Sequence, residues 1–250
     1  MKTVIEDPRV LKAIKNLESP RSVYLVVSSK GGVGKTTIST LLSIASSLEG
    51  HSTGLLDLDF VNPSTHIILG LDPRVIKYIE EKGVKPYRVF DNLYYFTIVS
   101  YTMDNPIALR GGEASNALWE VLAIIRWNGV ENLYIDTPPG IGDEHLDILY
   151  RLRRRVKPII VATPSKLARR AIDRLVDILR ETGYEEILFI ENMGSGVLRP
   201  YAEERRLLYL GFIPYLIRLE ESIGSIEKLL NEEVFSYVKA IYKNLRSLVR

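Results

Sequence analysis

The sequence contains no cysteine, no glutamine and only three histidines, and no apolar run approaches the roughly 18 residues of a membrane span. Without cysteine there are no disulfides, no thiolate metal sites and no cysteine nucleophile. His51, His66 and His145 stand in different segments without ligand spacing, so they read as packing or surface residues rather than a zinc site. An excess of one charge is missing too. Lys and Arg number 33 against 31 Asp and Glu, a net charge of +2, so no overall polycation points to nucleic acid. Low-complexity segments and internal repeats are absent. Depletion of thermolabile residues, with Cys and Gln absent, beside abundant Glu, Lys and Arg hints at a hot environment. The first residues, MKTVIEDPRVLKAIKNLE, are too charged for a secretory signal. The expectation is a soluble, cytoplasmic protein.

What the chain does have is 46% hydrophobic residues, ample for a core, in a regular alternation. Short, largely continuous apolar runs at 23–28, 53–58, 93–99, 133–136, 159–163, 187–190 and 208–213 read as strands buried on both faces. Helical patterns lie between them at 36–48, 74–81, 113–126, 143–154, 166–181, 220–230 and 232–249. Strand then helix, repeated, predicts a three-layer α/β fold, a mostly parallel twisted sheet with helices on both faces. Nothing resembles an interdomain linker, so residues 1–250 read as one domain with an N-terminal extension over 1–20. The basic cluster at 151–157 reads as a solvated helix end before a strand, with a DNA-binding patch as the alternative. The last helix carries Val234, Val238, Ile241, Leu245 and Leu248 at helical spacing, which reads as packing on the sheet, with a membrane-surface helix as the alternative.

One stretch carries chemistry. Between the first strand and first helix stands SSKGGVGKTT, residues 28–37. Gly31, Gly32, Val33 and Gly34 form a loop whose backbone N–H groups approach phosphate oxygens, with the dipole of the following helix behind them. Lys35 is placed to neutralise β- and γ-phosphate charge. Thr36 supplies a hydroxyl for Mg²⁺, and Thr37 completes the nucleotide-binding run. Asp57 and Asp59 end the second strand at the carboxyl edge of the sheet, where ligands of such folds bind. Asp136 ends another buried strand and is suited to Mg²⁺ through water. The Pro138-Pro139-Gly140 turn after it is stiff enough to sense a γ-phosphate. The guanine-reading string Asn-Lys-x-Asp does not occur, so ATP is the expected nucleotide.

Lys30 is a second lysine that this geometry does not use. KGGVGKTT resembles the deviant phosphate loop of the MinD, ParA and Mrp ATPases. The likeness to the Mrp type is the closer, extending from about Val23 to the C-terminus. It rests on Asp57–Ser64 (DLDFVNPS, with Asn62 where the family has Gly), Arg110-Gly111-Gly112 and Trp127. It rests further on Asp136–Asp143 (DTPPGIGD), Thr163-Pro164 and Glu191-Asn192-Met193. The resemblance implies a homodimeric ATPase in which Lys30 reaches the phosphates bound by the partner subunit. It also implies that Asp59 orients the attacking water, Asp57 supports the magnesium shell, Asn192 reads adenine and Pro214 supports the base. That family carries iron–sulfur clusters through a Cys-x-x-Cys shortly after Glu-Asn-Met. Here the segment 194–206 has no thiol, so no intrinsic cluster is expected. The same segment is expected to offer Leu198 and Tyr201 as apolar contacts, and Arg199, Arg205 and Arg206 as charged ones, to a dimer or another partner.

Overall fold

The computed structural model describes residues 7–103, 105, 112–140 and 143–248. Of the sequence signals, Arg110, Gly111, residues 141–142 and the side chains of Asp143 and His145 lie outside this description. In the first half, α1 (Pro8–Leu17) precedes β1 (Ser22–Val27), α2 (Lys35–Leu48), β2 (Thr53–Asp57) and α3 (Thr65–Leu69). Then come β3 (Ile79–Glu80), β4 (Val84–Lys85), β5 (Tyr87–Phe90), β6 (Leu93–Phe96), α4 (Val99–Thr102) and α5 (Gly112–Ile124). The second half alternates β7 (Asn132–Asp136), α6 (Asp143–Arg151), β8 (Val156–Ala162), α7 (Lys166–Glu181) and β9 (Leu188–Asn192). It closes with α8 (Arg199–Glu204), β10 (Leu208–Ile213), α9 (Leu219–Ser222), α10 (Ile226–Asn231) and α11 (Glu233–Leu248).

Eight strands form one sheet in the order β10-β9-β8-β1-β7-β2-β6-β5, parallel except for the edge strand β5. Successive residues of β1 divide between two cores. Val23, Leu25 and Val27 pack with α1, α5, α6 and α7, whereas Tyr24 and Val26 pack with α2, α3 and α11. Six of the seven expected strand runs are therefore largely buried, as their composition suggests, with helices covering both faces, whereas 208–213 forms the edge strand β10 and buries only Leu210 and Ile213. From the neighbouring strands β1 and β8 the chain continues in opposite directions, to β2 on one side and to β9 on the other. The crevice this creates opens at the carboxyl end of β1.

Two expected helices differ. The 74–81 pattern becomes a short 3-10 turn at Pro73–Val75 followed by the β3–β4 hairpin. Lys82 and Gly83 at its tip both take positive φ, which a helix does not accommodate. The 220–230 pattern splits into α9 and α10 at Gly224, whose φ is +89°, and Ser225 then caps α10 by accepting from the Lys228 N–H. The N-terminal extension contains α1, started by Asp7 as cap and Pro8 in the first turn, with Val10, Ala13 and Leu17 buried. In α11, Val234, Val238, Ile241 and Leu245 are buried against the sheet and α2, and Leu248 is exposed. Among the described residues no helix is long and apolar enough to cross a membrane.

The basic cluster is largely engaged by the fold. Arg155 donates to the Leu17, Glu18 and Pro20 carbonyls and so closes the end of α1. Arg151 pairs with Asp147 at 2.6 Å, Lys157 with Glu186 at 3.4 Å, and Arg153 lies over the Tyr150 ring.

Candidate nucleotide site

The loop after β1 runs into α2 through Gly34, which stands at the helix N-cap with φ +80°. A side chain there would be strained and would meet the Asn192 amide, so glycine is required twice over. Lys35, the first residue of α2, is buried, and its ammonium lies 2.6 Å from Asp136 Oδ1. Thr36 donates its hydroxyl to Asp136 Oδ2 at 2.9 Å, and Ser39 Oγ lies 3.0 Å from Oδ1. Three side chains from α2 thus converge on the one carboxylate at the end of β7. Pro139 packs beside Gly31, and the Gly140 N–H donates to the Ser28 carbonyl, so the Pro-Pro-Gly turn lies against the phosphate loop.

On the neighbouring strand Asp57 is also buried. Its Oδ1 accepts the Asp59 N–H at 3.0 Å, and its Oδ2 accepts the Thr65 hydroxyl at 2.6 Å. With that proton committed, the Tyr95 hydroxyl donates to Thr65 Oγ1 at 2.7 Å. Asp59 is buried as well, and accepts the Asn62 N–H at 3.0 Å. Lys30 is different. It is exposed and makes no ion pair or side-chain hydrogen bond with a described residue, while its carbonyl accepts the Ser28 hydroxyl.

Burial, reinforced by the charge of Asp136, pushes the Asp57 carboxyl up to about 7. Burial raises Asp136 too, opposed chiefly by the Lys35 ammonium. A carboxyl whose pKa rises on folding adds stability fully present below its unfolded value, 3.8, and lost as pH climbs toward about 7. Relative to Asp57→Asn, the metal-free protein should lose stability with a slope on the order of 1 kcal/mol per pH unit across that window. Urea unfolding at several pH values measures this, and parallel profiles for the two proteins would refute it.

Asn192 sits at the end of β9, where its Nδ2 donates to the Val33 carbonyl at 2.8 Å. Its amide nitrogen is therefore engaged by the phosphate loop. Asn192 and Pro214 also line a cavity of about 250 Å³ beside Gly34 and Thr37, with Ile38 and Leu41 below. Tyr215 and Ile217 line it too and are 70% and 82% exposed.

The segment after Asn192 differs from its expected exposure. Glu191, fully buried, accepts the N–H groups of Ser195, Gly196, Val197 and Leu198 together with the Tyr209 hydroxyl. This winding turns Leu198 against the core and buries Tyr201, whose hydroxyl donates to Asp173 at 2.8 Å. Tyr201 is thus no surface contact and Leu198 is half-buried, while Met193 and Val197, 38% and 61% exposed, are apolar residues that face outward. Arg205 pairs with Asp177 and Asp173, and Arg199 pairs with Glu203, while Arg206 is exposed.

Sequence reasoning assigned no role to Ser39, Thr65 or Glu191, the last entering only through the Glu191-Asn192-Met193 likeness. Ser39 lies one turn after Lys35 and hence on the same helix face, a signal that spacing alone carried. Thr65 and Glu191 act through contacts distant from the phosphate loop in sequence.

A family model described as ParA, NUBPL iron-transfer P-loop NTPase, matches residues 19–231. The chain belongs to this family. Curated relatives of this NUBPL-type chain include the "Cytosolic Fe-S cluster assembly factor Nubp2 homolog" of Drosophila virilis, 31% identical over 92% of this chain and 94% of that protein. The protein of the same name from Anopheles gambiae is 32% identical over 75% of this chain and 74% of its own length. Among solved structures, a nucleotide-binding protein from Archaeoglobus fulgidus in complex with ADP superposes with a TM-score of 0.74 at 22% identity, covering 91% of this chain and 95% of that one. The MinD cell division protein of Aquifex aeolicus gives 0.65 at 20% identity, over 90% and 97%. These likenesses place the NUBPL-type fold among the MinD and ParA P-loop NTPases.

Proposed function

We propose that residues 1–250 work as one P-loop ATPase domain, a Mg²⁺-dependent ATP-binding protein and slow ATPase. It acts as a nucleotide-switched homodimer in the cytoplasm and serves iron–sulfur cluster assembly without holding a cluster of its own. The observation that carries the ATPase reading is the convergence of Lys35, Thr36 and Ser39 on Asp136 beside the glycine loop. In this reading Gly31, Gly32, Val33, Gly34 and Thr37 surround the phosphates and Lys35 exchanges Asp136 for phosphate oxygen. Asp59 orients the attacking water, and the partner subunit's loop supplies Lys30 to the developing charge. The residues suit a hard divalent cation, since Thr36, Asp57 and Asp136 offer only oxygen, and burial together with the charge of Asp136 raises the cost of ionising Asp57, which a bound cation would lower. Magnesium, when bound with nucleotide, adds positive charge at the β- and γ-phosphates.

The cavity beside Gly34 accommodates the base, with the Asn192 side-chain carbonyl as reader and Pro214 as support. The apolar surface of Tyr215 and Ile217 at the same cavity suits contact with a second protein surface. ATP should outcompete GTP for the purified protein, and hydrolysis should require Mg²⁺. Competition binding with single-turnover assays tests this. GTP displacing ATP at equal concentration would refute the adenine reading, and tight ATP binding without any turnover would leave a non-hydrolysing switch.

The role in cluster assembly rests on the names of the curated relatives and on the family. The chain has no cysteine to hold iron, and in place of a thiol segment it winds residues 195–198 around Glu191. Anaerobic reconstitution with iron and sulfide should leave the pure protein colourless after desalting. A visible chromophore with stoichiometric iron would overturn that expectation, whereas a cluster formed only with an added protein would show that the partner supplies the ligands.

A further inference from the structure

A larger cavity, about 650 Å³, opens at the opposite edge of the sheet, among the starts of β1 and β7, the end of α2 and the second half of α11. No step of the ATPase reading uses it. Lys239, Lys243 and Arg246 line it from α11 at spacings of four and three, which puts them on one stripe of the helix, and Arg21 faces them from the start of β1. All four are exposed, and none forms an ion pair with a described residue; Lys239 lies over the Phe235 ring. Their charge meets a polar interior. Tyr24 and Tyr242 line the cavity and are almost wholly buried, and Tyr242 and Asn132 both reach the Ser46 hydroxyl. Burial raises both phenols, opposed first by the Ser22 contact at Tyr24 and the Ser46 contact at Tyr242, and then by the positive charge of Arg21 and Arg246 at Tyr24 and of Arg246 at Tyr242.

Unpaired cations around a recess with hydroxyl and amide donors make an anion site, whereas cations on a merely solvated face stand over open surface. The carboxylates present define its shape. Glu131 holds His51 at 2.9 Å, and Glu49 stands at the end of α2. Both are exposed and line the recess themselves, so four cations there face two carboxylates. A compact anion can lie against the Lys239, Lys243 and Arg246 stripe and Arg21, whereas an extended polyanion would also have to cross Glu49 and Glu131.

We propose that this recess binds a compact multivalent anion, an organic phosphate or a polycarboxylate, through Arg21, Lys239, Lys243 and Arg246. The test is calorimetric titration of the full chain with pyrophosphate and, separately, with citrate, which distinguishes the two chemistries. Three proteins are compared: wild type, Lys35→Ala with the phosphate loop disabled, and the exposed pair Lys243→Ala/Arg246→Ala, whose fold is verified by circular dichroism. At least one probe should bind wild type and Lys35→Ala with Kd below about 1 mM. It should bind the paired variant about tenfold or more weakly, and lose affinity as salt is raised. Failure of both probes, binding retained by the paired variant, or binding lost in Lys35→Ala would each overturn the proposal. So would a short DNA duplex that binds this face when neither small anion does.

Discussion

Replacing Lys35 with alanine is expected to abolish ATP binding. The ammonium is 6% exposed and already holds an anion, Asp136, at 2.6 Å, so the protein supplies a buried position for negative charge beside Lys35. Charge-assisted contacts of this kind are worth about 1.5–3 kcal/mol each, and a lysine spanning two phosphates loses more than one. Affinity should fall by about 100-fold or more. Calorimetry with ATP and Mg²⁺ measures this, and wild-type affinity in a folded variant would remove the loop assignment. The same substitution strips Asp136 of its buried counter-ion. Cutting one partner from such a pair costs about 3–5 kcal/mol when the survivor stays charged. Asp136 can take up a proton instead, so the destabilisation should grow as pH rises, and apo and nucleotide-loaded melting curves separate it from the binding defect.

Lys30→Ala is expected to act on turnover alone. The residue is exposed and makes no side-chain hydrogen bond within the described chain, so its removal should leave ATP affinity within about threefold. A cation delivered in trans to a phosphoryl-transfer transition state is worth about 10³–10⁵ in rate. Hydrolysis should therefore fall by at least about 100-fold. Mixing is the decisive measurement. A heterodimer of Lys30→Ala with Lys35→Ala has one site with an intact loop and an intact lysine from across the interface, so some activity should return. Confirmed mixed dimers without recovery would remove the role in trans.

The strand pattern was legible because burial on both faces leaves near-continuous apolar runs, as at Val23–Val27, and the phosphate loop was legible because backbone geometry dictates its glycines. The 74–81 segment misled because its apolar spacing is compatible with a helix until Lys82 and Gly83 take positive φ. The α1 helix carried its own signal, Asp7-Pro8 ahead of a periodic run, but an amphipathic helix at a chain end does not announce what it packs on. Leu198 and Tyr201 could not be oriented from sequence, because their direction depends on a carboxylate, Glu191, that gathers four backbone N–H groups locally. At the site, the motifs identified Lys35 and Asp136 separately. Their contact across about 100 residues of chain belongs to sheet order alone.

The last two residues of β9 point to opposite sides of the strand and hold different parts of the molecule. Asn192 grips the Val33 carbonyl of the phosphate loop, and Glu191 grips the backbone of Ser195–Leu198. One peptide unit separates the two grips, and β9 is anchored between β8 and β10. The strand end is thus a fulcrum. A shift of the phosphate loop at Val33 would act one peptide unit away from the carboxylate that holds Ser195–Leu198, and Val197 with them.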